Sequence, residues 1–480
     1  VIEITVALFA GVIYGLLIGI IPAAGATTGL VALYSVMPYF VDYPNAGVVF
    51  LMAVVAASTT GDSFTSILLG IPGSNSSAAT ILDGFPLAQQ GRAEYAISAA
   101  ITVSTVNGLI WGGLVFLFLP YYAQLMLVLG VPELWAFTMI ALVTVGFIST
   151  SNKVRSILAI VLGLVVGSIG VDPNTNAARL TGGWMYIENG IQLMPVVAGL
   201  FAIPELLEAF RTSTKLSGVI KVSSKQQVIA GIVDSFKYKW TSLRGGAIGA
   251  VVGLLPGLGG AISDWLSYGA TVAMNPTERF GSGNIKGVIG PEGANNAQKA
   301  TSMIPTVLFG IPGAPFAAVL MGLLMYLNIE LGSPDLIDNT EFFTSMSLGF
   351  LAATVIVAVI SYMTIPTISK IAHIPFILYF PILLAIIVWS CVQYTGGWED
   401  YAILVTFSVI GIAMKKFKIS RPAFLIAFIL SEKVENMTIQ LTSLYNIDML
   451  LSRPVFITLV VVLIGIVVAS FKLRLKIDYA

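Results

Sequence analysis

Residues 346–366 run long enough to cross a lipid bilayer without one charged side chain, and that stretch is one of many. At least a dozen apolar stretches approach or reach the roughly 20 residues a transmembrane helix needs. The clearest are 4–20, 97–119, 132–148, 157–170, 192–209, 346–366, 375–393, 401–414 and 455–471. Hydrophobic residues make up 57 % of the chain and charged residues 10 %, against about 25 % charged in soluble proteins. With a mean hydropathy of +0.92, the chain cannot cover a globule with polar surface and needs lipid as part of its solvent. Helices satisfy their backbone groups internally where water is absent. The expected fold class is therefore all-α, a polytopic transmembrane helical protein. No cleavable signal peptide is expected, because the first segment lacks a basic leader and runs into further membrane helices.

Several function classes drop out. Twenty-four basic residues balance twenty-four acidic ones, which leaves no electrostatic footprint for nucleic acid. A single cysteine, Cys391, excludes intrachain disulfides, iron–sulfur ligation and a Cys-rich zinc site. A single histidine, His373, leaves no HExxH and no histidine metal cluster. No Walker motif is present, so ATP is not the direct energy source.

Basic clusters mark the cytoplasmic side. They lie at Lys153 and Arg155, from Arg211 to Arg244, at Lys415 to Arg421, and at Lys472, Arg474 and Lys476. The 328–341 loop holds Glu330, Asp335, Asp338 and Glu341 with no basic residue. Walking between these anchors places the N-terminus outside and the C-terminus inside. The parity requires the stretches near 62–82 and 300–327 each to enter and leave on one side.

An internal repeat accompanies that parity. Gly11, Gly15, Gly19, Pro22 and Gly25 recur at an offset of 234 as Gly245, Gly249, Gly253, Pro256 and Gly259. Gly70-Ile71-Pro72-Gly73 recurs at an offset of 240 as Gly310-Ile311-Pro312-Gly313, and Gly47-Val48 as Gly287-Val288. The GxxxGxxxG runs are explained by close helix packing alone. The Pro-x-x-Gly and Gly-Ile-Pro-Gly sites differ, because they interrupt apolar helices in matching places. Broken backbone at membrane depth must be buried in protein or line a wet cavity, and paired interruptions in inverted halves point to a transporter's midplane site. The expected division is a first inverted repeat over 1–210 with a re-entrant hairpin near 62–82, a cytoplasmic basic linker over 211–242, and a second inverted repeat over 243–480 with a hairpin near 300–327 and C-terminal helices. Two such halves suit an elevator-like motion, the hairpins and broken helices moving and the early helix of each repeat bracing.

The breaks supply the candidate site: Gly73, Ser74, Asn75, Ser76, Gly257, Gly259, Asn295, Asn296, Pro312 and Gly313 for substrate. Ser74 to Ser77 open an apolar run, and a helix N-terminus with hydroxyls suits a carboxylate; an ordinary capping box without a ligand is the alternative for the same residues. Oxygens of Asn75, Ser76 and Asn296 are candidates for holding sodium, beside unwound carbonyls. The second tip, Gly313-Ala314-Pro315-Phe316, is nearly apolar, so the two tips are not expected to do the same job. Asp62, Asp83, Asp264, Glu292 and Lys299 are ionisable groups in or near membrane depth, where such groups are functional, paired or facing water. Asp83, followed by Gly84-Phe85-Pro86, reads as a turn at the membrane edge, and His373 as an interfacial residue. The stretch 285–299 is too polar to face lipid.

At these residues the sequence resembles the large permease subunit of the tripartite tricarboxylate transporter family. The resemblance rests on the Gly19…Pro22…Gly25 break, Ile67-Leu68-Leu69-Gly70-Ile71-Pro72-Gly73, and Leu82-Asp83-Gly84-Phe85-Pro86-Leu87-Ala88 with Gly91. It extends through Val171-Asp172-Pro173 with Arg179, Asn189-Gly190-Ile191 to Ile203, and Gly253-Leu254-Leu255-Pro256-Gly257-Leu258-Gly259. Its most specific block is Pro291-Glu292-Gly293-Ala294-Asn295-Asn296-Ala297. Ala23 and the Thr59-Thr60-Gly61-Asp62 stretch depart from the family pattern. The resemblance implies a prokaryotic secondary transporter, multi-pass in the cell (inner) membrane, importing tricarboxylates or dicarboxylates by symport with Na+ or H+. It also implies a small membrane subunit and a periplasmic or extracellular solute-binding protein as partners. A passive anion channel is the alternative, since re-entrant hairpins also line channels. A membrane-embedded enzyme is a further alternative that the residues support less, because Gly61-Asp62 gives at best half of an aspartyl-protease pair and His373 is the only histidine that could serve Ser74 as a base.

Overall fold

The computed structural model describes residues 2–22, 24–125, 129–148, 153–172, 175, 177–213, 225–256, 259–333, 336, 339–372, 376–392 and 397–472. The first half runs through α1 (Ile2–Ile20), α2 (Gly25–Ala32), a 3-10 segment over Leu33–Phe40, α3 (Pro44–Leu69) and a 3-10 turn over Asn75–Ser77. It continues with α4 (Ile81–Gln89), α5 (Ala93–Phe116), α6 (Leu119–Leu125), α7 (Val131–Ile148) and α8 (Lys153–Gly167). A two-stranded antiparallel hairpin, β1 (Gly170–Val171) with β2 (Ala178–Arg179), pairs Gly170 with Arg179. α9 (Leu193–Val197), a π-helical turn over Ala198–Ala202 and α10 (Ile203–Ser213) close this half.

The second half contains α11 (Lys225–Lys237), α12 (Lys239–Leu254), α13 (Gly259–Ala273), α14 (Lys286–Thr301), α15 (Met303–Phe309) and α16 (Pro315–Tyr326). α17 (Thr340–Ala372), α18 (Phe376–Val392), α19 (Glu399–Lys416), α20 (Arg421–Leu444), α21 (Ile447–Leu451) and α22 (Pro454–Lys472) follow. Among the described residues four helical stretches, Ile2–Ile20, Pro44–Leu69, Ala93–Tyr122 and Thr340–Thr367, are long and apolar enough to cross a membrane. The protein is an all-α polytopic membrane protein.

α3 sits at the centre. Pro44 opens it without losing a hydrogen bond, and its 26 residues span about 39 Å at 1.5 Å per residue. Every residue from Ala46 to Leu68 is buried. α14 is its counterpart, buried from Gly287 to Thr301 although it carries Glu292, Asn295, Asn296, Gln298 and Lys299. Helices α12, α13 and α5 enclose it, so protein and not lipid solvates these polar groups.

Glycines set the spacing around both central helices. A Cβ on Gly11, Gly15 or Gly19 would meet Phe50 O at 2.6 Å, Val54 O at 2.8 Å or Ser58 O at 2.3 Å. On Gly245, Gly249 and Gly253 it would meet Gly290 O at 2.1 Å, Ala294 O at 2.2 Å and Gln298 O at 2.5 Å. The partners Phe50, Val54 and Ser58 become Gly290, Ala294 and Gln298 on adding the 240 offset, while the glycines themselves differ by 234. One packing register therefore occurs twice, α1 on α3 and α12 on α14. α17 packs on α3 as α5 packs on α14.

Residues 225–237, within the expected basic linker, form a helix lying along α5. Gly231 comes within packing distance of Tyr95 O, and the Tyr95 hydroxyl donates to Asp234 Oδ2 at 2.5 Å. Small residues facing α5 let this polar helix dock. Asp335, Asp338, His373 and residues 214–224 lie outside the described residues.

Candidate functional site

The site begins with two broken helices. α1 ends at Ile20 and α2 restarts at Gly25; α12 ends at Leu254 and α13 restarts at Gly259. Pro22 and Pro256 lie in the gaps, where a proline cannot continue the helical ladder. Two tips meet these restarts. α3 and α15 both end on a left-handed glycine, Gly70 (φ 65°) and Gly310 (φ 59°), a backbone state that costs glycine nothing. Both tips then pass through Ile-Pro-Gly to an extended N-cap residue, Ser74 or Ala314.

One cavity of ≈ 100 Å³ joins all four elements. The starts of α2 (Ala24 to Thr27) and α13 (Gly259, Gly260) line it, with Ser74 and Ser76 of the first tip and Ala314 to Phe316 of the second. α14 contributes Gln298 and Lys299. Glu205 also faces it, and that carboxylate is ion-paired with Arg421 at 3.6 Å. Three helix N-termini thus converge where the Lys299 ammonium is buried, 5.8 Å from the Phe316 ring centroid and 3.5 Å from Ser58 Oγ. N-terminal N–H groups and a buried ammonium together favour an anion.

The first tip is held by carboxylates. The Ser74 hydroxyl donates to Asp62 Oδ2, and Ser74 also forms a capping box with Ser77. Ser74 and Ser76 hydroxyls lie 2.9 Å apart, and the Ser66 hydroxyl donates to Ser77 Oγ at 2.9 Å. The Ala79 N–H donates to Asp264 Oδ2 at 2.7 Å, and the Thr80 hydroxyl to Glu292 Oε1 at 2.8 Å. Ser63 of α3 donates to the other oxygen of Glu292 at 2.8 Å. Asp62 Oδ1 and Asp264 Oδ1 are buried and accept no hydrogen bond. The second tip is simpler: the Gly313 N–H donates to Thr306 Oγ1 at 3.1 Å.

Asp83 has a structural task. It lies in the first turn of α4, fully buried, and its Oδ1 accepts the N–H groups of Ser282, Gly283 and Asn284 at 2.8–3.1 Å. Its Oδ2 accepts from the Tyr268 hydroxyl at 3.0 Å. A carboxylate with four donors is a strong clamp, and this one ties the first tip's helix to the second half.

The residues singled out in the sequence distribute as follows. Ser74, Ser76 and Gly259 line the cavity. Gly73 and Gly313 are buried behind it, where a Cβ would meet Asp62 and Thr65 or Ser302; Pro312 is buried in the second tip. Asn295 is buried with both amide atoms unpartnered, and Asn296 turns toward α5, its Nδ2 3.5 Å from Ser104 O. Gly257 and the Asn75 side chain lie outside the described residues. Sequence reasoning passed over Gln298 and Gly260, and it named Phe316 as part of the apolar second tip. The 240 offset held a signal for Gln298, since it pairs that residue with Ser58, the carbonyl facing Gly19. Among the described residues no group of three His, Cys, Asp or Glu is arranged to hold a metal ion.

Comparison with known proteins gives a family match. A model described as the tripartite tricarboxylate transporter TctA family matches residues 5–426. A protein of Agrobacterium vitis named "Uncharacterized 52.8 kDa protein in TAR-I ttuC' 3'region" is 28 % identical over 431 residues, covering 89 % of this chain and 84 % of that one. A second from the same organism, "Uncharacterized protein in TAR-II ttuC' 3'region", is 28 % identical over 190 residues, 39 % of this chain and 78 % of that one. No solved structure matches the chain.

Proposed function

Because the chain belongs to the tripartite tricarboxylate transporter TctA family, we propose that it is the large membrane subunit of a secondary transporter that imports small organic carboxylates. Symport with Na+ or H+ drives uptake across a prokaryotic inner membrane. A small membrane subunit and an extracytoplasmic binding protein complete the system. The observation that carries this reading is the single cavity where three helix N-termini, Gln298 and Lys299 meet between the two tips. Each helix start presents roughly half a positive charge, and Lys299 adds a full one. A di- or tricarboxylate gains donors there in exchange for its hydration.

The substrate set shifts from the sequence expectation. The Ser74 hydroxyl is committed to Asp62, so the anion's donors are Lys299, Gln298 and the backbone at Gly25, Gly259, Gly260 and Ala314. The halves work as inverted repeats, and an elevator-like displacement of tips and broken helices carries the cavity across. Uptake in proteoliposomes tests the proposal: imposed Na+ or H+ gradients should accumulate a tricarboxylate such as citrate, or a dicarboxylate, above its outside concentration. Equilibration without accumulation would mark a passive anion channel instead.

A further inference from the structure

The anion cavity does not account for the carboxylates behind it. Asp62 on α3, Asp264 on α13 and Glu292 on α14 are each at most 1 % exposed, and Lys299 is 2 % exposed. These groups act on one another: Lys299 faces the charges of Asp62 and Glu292, and Glu292 faces Asp264. Glu205 is neutralised separately by Arg421. One ammonium against three carboxylates leaves two negative charges unmatched. Buried charge without a counter-charge is not tolerated at membrane depth.

The hydrogen bonds locate those two charges. Glu292 has both oxygens engaged, by Ser63 and Thr80. Asp62 and Asp264 each have one oxygen engaged by the first tip, through Ser74 and Ala79, and one buried oxygen without a partner. The charge deficit and the number of vacant carboxylate oxygens agree. The vacant oxygen of Asp62 lies beside Gly73, where a Cβ would stand 2.9 Å from it and 2.6 Å from Thr65 Oγ1. Asp62 Cα would stand 2.7 Å from the same point, so glycine is what lets the tip close directly onto that carboxylate.

Resting on the transporter reading above, we propose that Asp62 and Asp264 are the two coupling positions, each taking one monovalent cation, a proton or a sodium ion, when the first tip is closed. Both carboxylates contact that tip. Cation loss leaves mutual repulsion among Asp62, Glu292 and Asp264 directly under residues 74–80, which favours opening. Cation binding closes the tip over the cavity, so carboxylate and cations travel together. The second tip has no ionisable residue and plays no part in this charge balance.

The test counts cations on the purified, full-length protein, by direct binding of radioactive sodium and, separately, by proton uptake in a pH-stat. The wild type should bind two monovalent cations per chain, Asp62→Asn and Asp264→Asn one each, and the double variant none. The arm that responds, sodium or proton, identifies the ion. A wild-type count below two, or single variants that bind as the wild type does, overturns the proposal. Should Asp62→Asn fail to fold, Ser74→Ala, which removes the hydroxyl that donates to Asp62, replaces it: half-saturation by the cation should move about tenfold, and an unchanged value overturns the Asp62 assignment. Should Asp264→Asn fail to fold, Asp264→Ser replaces it, with one cation bound expected, and a count of two overturns the Asp264 assignment. The transporter reading fails differently, by absence of carboxylate accumulation in wild-type proteoliposomes, whatever the cation count.

Discussion

The two tips share a backbone and almost nothing else. Each follows a left-handed glycine, passes through Ile-Pro-Gly and ends on an extended N-cap. The first cap, Ser74, donates to buried Asp62, and Ala79 and Thr80 beyond it donate to Asp264 and Glu292; after the second cap come Pro315 and Phe316, and α16 starts at once as a regular helix of 12 residues. In the first tip a 3-10 turn over Asn75–Ser77 and a further turn precede α4. The serines compete with the helix for backbone partners, whereas proline at the first helical position supports it. A duplicated break therefore fixes where a site lies, and the residues beyond it decide what each side handles. In this account the first tip answers to cations and the second closes an apolar wall over the anion.

The largest break in that comparison should come from Lys299, which serves both sides. Lys299→Met leaves buried carboxylates uncompensated, a change that costs about 3–5 kcal/mol. Carboxylate uptake at matched surface expression should fall by about a hundredfold or more, at 1.4 kcal/mol per tenfold. Retained carboxylate affinity would remove the anion from this cavity.

Exchanging tip chemistry sharpens the contrast next. Ser74→Ala removes a hydrogen bond to a charged group, about 1.5–3 kcal/mol, and should appear in the cation concentration for half-maximal uptake. Ala314→Ser should leave that concentration unchanged. An effect of Ser74→Ala confined to carboxylate affinity would restore the tip as an anion site.

The scaffold offers a symmetric control. Gly19→Ala and Gly253→Ala each push a Cβ into a facing helix, at 2.3 Å from Ser58 O and 2.1 Å from Thr301 Oγ1. Overpacking of this kind costs about 1–3 kcal/mol, so both variants should lower the thermal midpoint by similar amounts. A loss in only one would mean that the two packing registers are not equivalent.

The smallest effect belongs to the second tip. Phe316→Leu removes the ring beside Lys299, a contact of about 0.5–2 kcal/mol. Transport rate should change more than half-saturation, as measured by initial uptake over a range of carboxylate concentrations.

Much of this was legible in the sequence because glycine and proline punctuate apolar helices so sharply. The breaks at Pro22 and Pro256, and the paired Gly-Ile-Pro-Gly tips, stand out in a chain that is 57 % hydrophobic. The polarity of 285–299 excluded a lipid-facing path without fixing another, and the structure makes it α14, a helix shielded by protein. Asp62, Asp264, Glu292 and Lys299 stood out as ionisable groups, but their grouping did not. Ser63 meets Glu292 and Ala79 meets Asp264 across a gap of about two hundred residues, and helix rotation, which no local pattern records, decides which face turns inward. The same limit applies to Asn296: its position was visible, its turn toward α5 was not.

Protection of introduced cysteines tests the central claim most directly, that a carboxylate occupies the cavity between the tips. The native Cys391 is buried and free, so a Cys391→Ala background permits single cysteines at Ala314, in the cavity wall, and at Met185, exposed in the loop between β2 and α9. A small hydrophilic thiol reagent should label both. With the coupling cation present, a transported tricarboxylate should slow labelling at position 314 in proportion to its occupancy and leave position 185 unaffected. Equal labelling at 314 with and without saturating, transported carboxylate would contradict the account.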